Sequence, residues 1–183
     1  MKRKQLYTLC ESAIMIAMAT VLSFIEIQLG ASGGSINFAM LPLFIICYRN
    51  GALWGIGSGL IFGLIKCIIG GGISWGLPSI LLDYVLAYGA VGIAGFFKGK
   101  SKYLEISALI GCTARYFIHF LSGILLWQIV EPTTVDAIGV TFINPYAYSA
   151  VYNIVYMLPS SVGVIILLSL LRKPLKKIDN KYN

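Results

Sequence analysis

An arginine and the chain's single histidine lie inside an apolar stretch, and they are the residues best suited to chemistry. Arg115 and His119 fall within residues 112–131, a run long enough to cross a lipid bilayer. Because they are four residues apart, a helix would place both on one face. A guanidinium at membrane depth is costly unless it faces protein, water or a ligand. The pattern therefore predicts a polar site inside a bundle of helices.

The composition is that of an integral membrane protein. Of the 183 residues, 58% are hydrophobic and 11% are charged, and the mean hydropathy is +0.84. Soluble domains are about 45–50% apolar and about 25% charged. A net charge of +7 would favour nucleic acid as a partner of a soluble protein. Here we expect a lipid bilayer as the surroundings and no nucleic acid. The four cysteines show no CxxC spacing, so no metal site is expected.

Six apolar segments follow one another along the chain. They cover residues 7–29, 36–48, 52–69, 78–97, 104–130 and 146–171, separated by breaks rich in glycine, serine or lysine. Most of them reach the roughly 20 residues that a helix needs to cross a bilayer, whereas the second is short. The sequence predicts an all-α membrane protein with six transmembrane helices in a single domain, residues 1–183.

Basic residues predict the orientation of these helices. Twelve of the 14 Lys and Arg residues lie at the two ends of the chain or in alternate breaks, and the breaks at 30–35, 70–77 and 131–145 contain none. By the positive-inside rule, both termini are cytoplasmic and those three loops face outward. The two remaining basic residues, Lys66 and Arg115, lie within spans. We expect Lys66 to pair with Asp83 or to extend to the outer surface, and Arg115 to tie the floor of the site to Asp83 or to backbone carbonyls.

This topology places polar and aromatic side chains together in the outer half of the membrane: Asp83, His119, Trp127, Tyr148 and Asn153. Such a set favours a small, flat, polar ligand that can carry a positive charge. Simpler roles stay open for each residue except the carboxylate. Trp127 and Tyr148 suit the membrane interface, Asn153 suits a hydrogen bond between helices, and His119 suits packing.

Several blocks of sequence resemble a known family. They are residues 33–42, 82–95, 115–123 and 144–159, which include Asp83-Tyr84, the Arg115-x3-His119 spacing and Tyr148-x4-Asn153. On these blocks the chain resembles the thiamine-specific substrate-binding (S) components of energy-coupling factor (ECF) vitamin transporters. The resemblance covers nearly the whole chain. It implies six transmembrane helices, thiamine bound near the outer face, no cofactor and no enzymatic activity.

The resemblance also implies which residues bind thiamine. The residues that match the family's binding positions are Asp83, Tyr84, His119, Trp127, Tyr148, Asn153 and Trp75. Asp83 and Tyr84 would meet the aminopyrimidine, and Trp127 would stack on a ring. The chemistry is suitable, because a carboxylate can pair with the aminopyrimidine edge and aromatic faces can hold the thiazolium cation.

The partners implied by the resemblance are a transmembrane coupling subunit and two ATPase subunits. The family's A-x-x-x-A docking motif for the coupling subunit falls on Ala13 and Ala17, and small residues at this spacing let another helix approach closely. The chain lacks the G-x-x-x-x-G-K-[ST] motif, so it does not hydrolyse ATP by that route. The expected location is the cell (plasma) membrane of a Gram-positive-type bacterium.

Three alternatives stay open at this point. Within transport, the alternative function is that of a related S component for another vitamin or a thiamine precursor. An intramembrane enzyme would use His119 as a base and Asp83 to orient it, although no metal-binding H-E-x-x-H motif is present. A purely structural subunit would leave the charges within the spans unexplained.

Overall fold

Six helices and two short hairpins make up the part of the chain that the computed structural model describes, residues 3–29 and 34–182. For residues 74, 75 and 179–182 only the backbone is described. The helices are α1 (Arg3–Phe24), α2 (Met40–Asn50), α3 (Ala52–Ile69), α4 (Leu77–Phe97), α5 (Leu104–Val130) and α6 (Pro145–Tyr182). The antiparallel hairpins pair β1 (Ile27–Gln28) with β2 (Ser35–Ile36), and β3 (Val135–Ala137) with β4 (Val140–Phe142).

Among the described helices, α1, α3, α4, α5 and α6 are long and apolar enough to cross a membrane. With 11 residues, α2 is about 16 Å long, which is shorter than the roughly 30 Å hydrocarbon core. Its side chains Met40, Leu43, Phe44 and Ile46 are all buried, so α2 forms the centre of the apolar core. The six-helix membrane fold is confirmed, with the second helix as short as the sequence indicates.

The ends of two helices differ from the prediction. α1 ends at Phe24 rather than at residue 29, because the chain enters the β1–β2 hairpin there. α6 continues past residue 171 to Tyr182. Leu175 in this extension is buried in the apolar core, which holds the last turns against the bundle.

Ion pairs and charge distinguish the two ends of the bundle. At one end Glu11 of α1 pairs with Arg49 of α2, and Glu105 of α5 pairs with Arg172 of α6. Exposed lysines also lie there, including Lys98, Lys100, Lys102, Lys173, Lys176 and Lys177. We call this the basic end. The opposite end carries both hairpins, and we call it the pocket end.

Glycines bring α3 and α4 into close contact. Gly63 of α3 lies against the backbone carbonyl of Tyr84, and Gly92 of α4 lies against the backbone of Ile56. A Cβ atom at either glycine would collide with backbone atoms, which cannot move aside. The part of α4 facing Gly63 is a π-helix, Ile80–Leu86. Such segments are rare and are frequent at functional sites.

Candidate functional site

A cavity of about 690 Å³ lies at the pocket end. Its walls come from α3, α4, α5, α6 and the hairpin regions. Six of the seven predicted binding residues line it: Asp83, Tyr84, His119, Trp127, Tyr148 and Asn153. The seventh, Trp75, ends the short 3₁₀ turn Gly72–Trp75, and its side chain lies outside the part of the structure that is described.

Asp83 and His119 form the polar centre of the cavity. Asp83 Oδ1 lies 3.0 Å from His119 Nδ1, and Ser79 Oγ donates a hydrogen bond of 2.8 Å to Asp83 Oδ2. An ionised carboxylate only accepts, so Nδ1 of His119 carries the proton. His119 Nε2 is buried and has no partner among the described residues. In the neutral ring it is an acceptor, available to a ligand that donates a hydrogen bond.

Arg115 lies one turn deeper than His119 on α5, and only 7% of it is exposed. Its Cζ atom sits 4.2 Å from the centroid of the Tyr88 ring. The expected tie to Asp83 is wrong: within the described residues Arg115 forms no ion pair, and its Nε atom is buried without a hydrogen-bond partner. The face of Tyr88 stabilises the guanidinium instead, through a cation–π interaction.

The amide of Asn153 is engaged within the protein. Its Nδ2 donates to the backbone oxygen of Ser149 at 2.8 Å and to that of His119 at 3.3 Å. Its Oδ1 accepts a hydrogen bond of 2.6 Å from the hydroxyl of Tyr156. These contacts favour the simpler role, a hydrogen bond between α5 and α6 that also orients Tyr156. A ligand contact of Asn153 stays a prediction.

Aromatic rings form one wall of the cavity. Tyr148 stacks on Tyr152 with a centroid distance of 5.5 Å and an interplanar angle of 16°, and Trp127 lies 5.5 Å from Tyr148. Phe142 of β4 packs edge-on against Tyr148 at 5.7 Å. Such a wall suits a flat ring or a delocalised cation.

Lys66 pairs with a residue that was not predicted for the site. Its Nζ atom lies 2.9 Å from Glu26 Oε2 and donates to the backbone oxygen of Ser23 at 3.2 Å. Both expectations for Lys66, pairing with Asp83 and extension to the surface, are wrong. Burial alone would raise the pKa of Glu26, but hydrogen bonds from Lys66, Ser35 and Gln28 outweigh it and lower the pKa below its ordinary value.

Other cavity residues also escaped prediction, among them Ser79, Tyr88, Tyr152 and Tyr156. Helical spacing could have indicated two of them. Ser79 lies one turn before Asp83, and Tyr156 lies one turn after Tyr152 on the face that carries Tyr148. The described residues form no group of three or more His, Cys, Asp and Glu side chains that could hold a metal ion.

The chain is thus a helical membrane protein with a partly charged, aromatic-walled cavity at one end, which is suited to a small, flat, polar molecule. Comparison with known proteins makes this specific. Residues 9–180 match the thiamine transporter protein family (Thia_YuaJ), and the chain belongs to that family.

Individual relatives agree along nearly their whole length. The thiamine transporter ThiT of Bacillus subtilis is 34% identical over 92% of this chain and 91% of that protein. ThiT of Lacticaseibacillus paracasei is 28% identical over 93% and 89%. The solved structure of ThiT from Listeria monocytogenes superimposes with a TM-score of 0.82 at 27% identity, covering 97% of this chain and 99% of that one. The expectation of a transport protein, and not an enzyme, is confirmed.

Proposed function

We propose that the chain is the thiamine-binding S component of an ECF-type transporter and captures thiamine from outside the cell. The observation that carries this proposal is the Asp83–His119 pair at the centre of an aromatic-walled cavity. The cavity volume of about 690 Å³ lies within the range of about 300–1,000 Å³ typical of small-molecule sites.

The side chains suit each part of thiamine. Asp83 has its oxygens oriented by Ser79 and His119, and it accepts from the exocyclic amine of the aminopyrimidine. His119 Nε2 offers a second acceptor. The thiazolium ring carries a fixed positive charge, and the aromatic wall attracts it through cation–π interactions of about 2 kcal/mol when the site excludes water. Arg115 repels the same charge, so the thiazolium lies away from the cavity floor.

The face of α1 that carries Ala13 and Ala17 supports docking of a transmembrane coupling subunit. Both alanines are exposed, whereas Ser12, Ile16 and Ala19 on the neighbouring face of the helix are buried within the chain. Packing within this chain therefore does not account for the small-residue spacing. An apolar groove between α1 and α3 lies beside Ala13, and a helix seated there would gain van der Waals contacts that lipid does not provide.

The transport step requires energy that the chain does not supply by a P-loop. In the proposed assembly two ATPase subunits drive the coupling subunit, which in turn moves this chain and releases thiamine inward. Relatives from Bacillus, Lacticaseibacillus and Listeria support a location in the plasma membrane of a Gram-positive-type bacterium.

Equilibrium binding of the purified chain, without partners, tests the proposal. Thiamine, a free aminopyrimidine precursor, riboflavin and biotin are titrated separately by calorimetry in detergent or nanodiscs. We expect thiamine to bind most tightly. Tighter binding of the precursor or of another vitamin would identify an S component of different specificity, and no binding of any of them would contradict the proposal.

A further inference from the structure

The ion pair of Glu26 and Lys66 is a charged feature of the cavity that is separate from the Asp83–His119 pair. The side chain of Glu26 is 17% exposed and that of Lys66 is 13% exposed, and both line the cavity. Ser35 of β2 donates a hydrogen bond of 2.7 Å to the same Glu26 oxygen that Lys66 contacts. Gln28 of β1 donates to the other oxygen at 3.3 Å. The carboxylate is therefore held in place from α3 and from the first hairpin.

The pair lies nearer to the cavity mouth than Asp83 does. Gly63 of α3 touches the backbone of Tyr84, the residue next to Asp83. Lys66 follows Gly63 by three residues, which places it about 4.5 Å further along the helix toward the pocket end. A ligand that reaches from Asp83 toward the mouth passes Glu26 and Lys66.

The pair also determines the net charge of the part of the cavity near the mouth. Glu26 cancels the charge of Lys66, and two of the three ammonium hydrogens are used by Glu26 and by the Ser23 backbone. Among the described cavity residues, the only other Lys or Arg is Arg115, one turn below His119. An anionic group near the mouth therefore meets a fixed carboxylate and no uncompensated ammonium.

We propose that Glu26, by neutralising Lys66, denies the cavity a cation that could bind phosphate, and so makes it select the free alcohol form of thiamine over its phosphate esters. This inference rests on the proposed function. With the aminopyrimidine on Asp83, the hydroxyethyl group of the thiazole extends toward the mouth. A phosphate on that group would bring negative charge to a partly buried carboxylate, where screening by water is weak.

Affinities for thiamine and thiamine monophosphate measure the effect. The quantity compared is the ratio of the two dissociation constants, monophosphate over thiamine, in the wild type, Glu26→Gln, Lys66→Gln and the double variant. Glu26→Gln frees the ammonium for the phosphate, and we expect the ratio to fall at least tenfold. Lys66→Gln leaves the carboxylate without its cation, and the ratio should rise. In the double variant both effects are removed, and the ratio should stay within threefold of the wild-type value.

The ratio separates this inference from the proposed function, which the wild-type thiamine titration tests by itself. Thermal unfolding of each variant shows whether it is folded. If a single variant is unstable, the double variant replaces it in the comparison, because it keeps polar groups of similar shape at both positions. A change of less than threefold in Glu26→Gln would overturn the proposal. A shift of both single variants in the same direction would do so as well.

Discussion

The hydroxyl oxygen of Tyr152 lies 2.9 Å from the backbone nitrogen of Gly34 and accepts its hydrogen. The same hydroxyl donates to the backbone oxygen of Leu29 at 3.3 Å. One side chain of α6 therefore holds the chain on both sides of the first loop, next to the cavity wall that Tyr152 forms with Tyr148.

Removal of this hydroxyl should speed the release of ligand. Tyr152→Phe keeps the aromatic wall but leaves two backbone groups of the first hairpin without a partner, at a cost of about 1–3 kcal/mol each if they stay buried. We expect thiamine to dissociate several-fold faster in stopped-flow measurements, with a smaller change in the association rate. Tyr146→Phe is the matched control, because Tyr146 is exposed and does not line the cavity. Equal dissociation rates for both variants would exclude this role.

Neutralisation of Asp83 should weaken thiamine binding. Asp83→Asn removes the charge that the aminopyrimidine amine and His119 share, and we expect a loss of about 1.5–3 kcal/mol, the range for hydrogen bonds to charged groups. Calorimetry measures this loss of binding free energy. Asp136→Asn serves as the control, because Asp136 lies exposed on β3 and bonds only to Thr141 in the described structure. Wild-type affinity in a folded Asp83→Asn variant would rule out the assigned role of the carboxylate.

Trp127 should report ligand binding through its fluorescence. Stacking of a thiamine ring on the indole quenches emission. Trp75 is replaced by Phe throughout, because it is also a predicted binding residue, and in that background thiamine should quench the protein with and without Trp54→Phe alike. Trp54 lies in the groove between α1 and α3, away from the cavity. In Trp127→Ala the quenching should largely disappear and affinity should fall by about 2 kcal/mol. Quenching that persists in this variant would show that the ligand stacks elsewhere.

Bulky residues on the small-residue face of α1 should separate binding from transport. Ala13→Trp with Ala17→Trp should bind thiamine normally but fail to co-purify with the coupling subunit, and uptake should stop. Ile14→Trp with Met18→Trp has the same spacing on other exposed positions of α1 and should assemble normally. If thiamine binding falls together with uptake in the first variant, the face is needed for folding and not for docking.

Orientation in the membrane can be tested by cysteine labelling in a cysteine-free background. Ile73 and Thr134 are exposed at the pocket end, and Lys100 is exposed at the basic end. Cysteines at the first two positions should react with a membrane-impermeant maleimide in intact cells, and one at Lys100 should react only after lysis. The opposite pattern would mean that the cavity faces the cytoplasm.

The sequence predicted the apolar elements well, because in a membrane they are continuous and end at charged or glycine-rich breaks. The predicted segments 52–69 and 104–130 coincide with α3 and α5. Depth along each helix was also predictable, and it brought Asp83 and His119 to the same level. The direction in which a side chain points around the helix axis was not predictable. Lys66 points to Glu26 and not to Asp83, because α1 packs against α3 and brings Ser23 and Glu26 within reach of the lysine. No local pattern indicates that contact.

The same limit applies to residues whose role depends on several neighbours. Asn153 was expected to face either a ligand or another helix, and only the positions of Ser149 and Tyr156 show that its amide is already engaged. The π-helix that carries Asp83 and Tyr84 has no signature in the sequence. It lies where α4 packs against Gly63 of α3.

That packing has a mechanical consequence. Because the backbones of α3 and α4 touch at Gly63 and Gly92, neither helix can slide or rotate against the other without a steric collision. The two helices therefore move as one rigid body, which carries Asp83 and Lys66 at a constant separation. We therefore expect changes of cavity shape during loading and release to come from the other parts of its wall, in α5, α6 and the two hairpins.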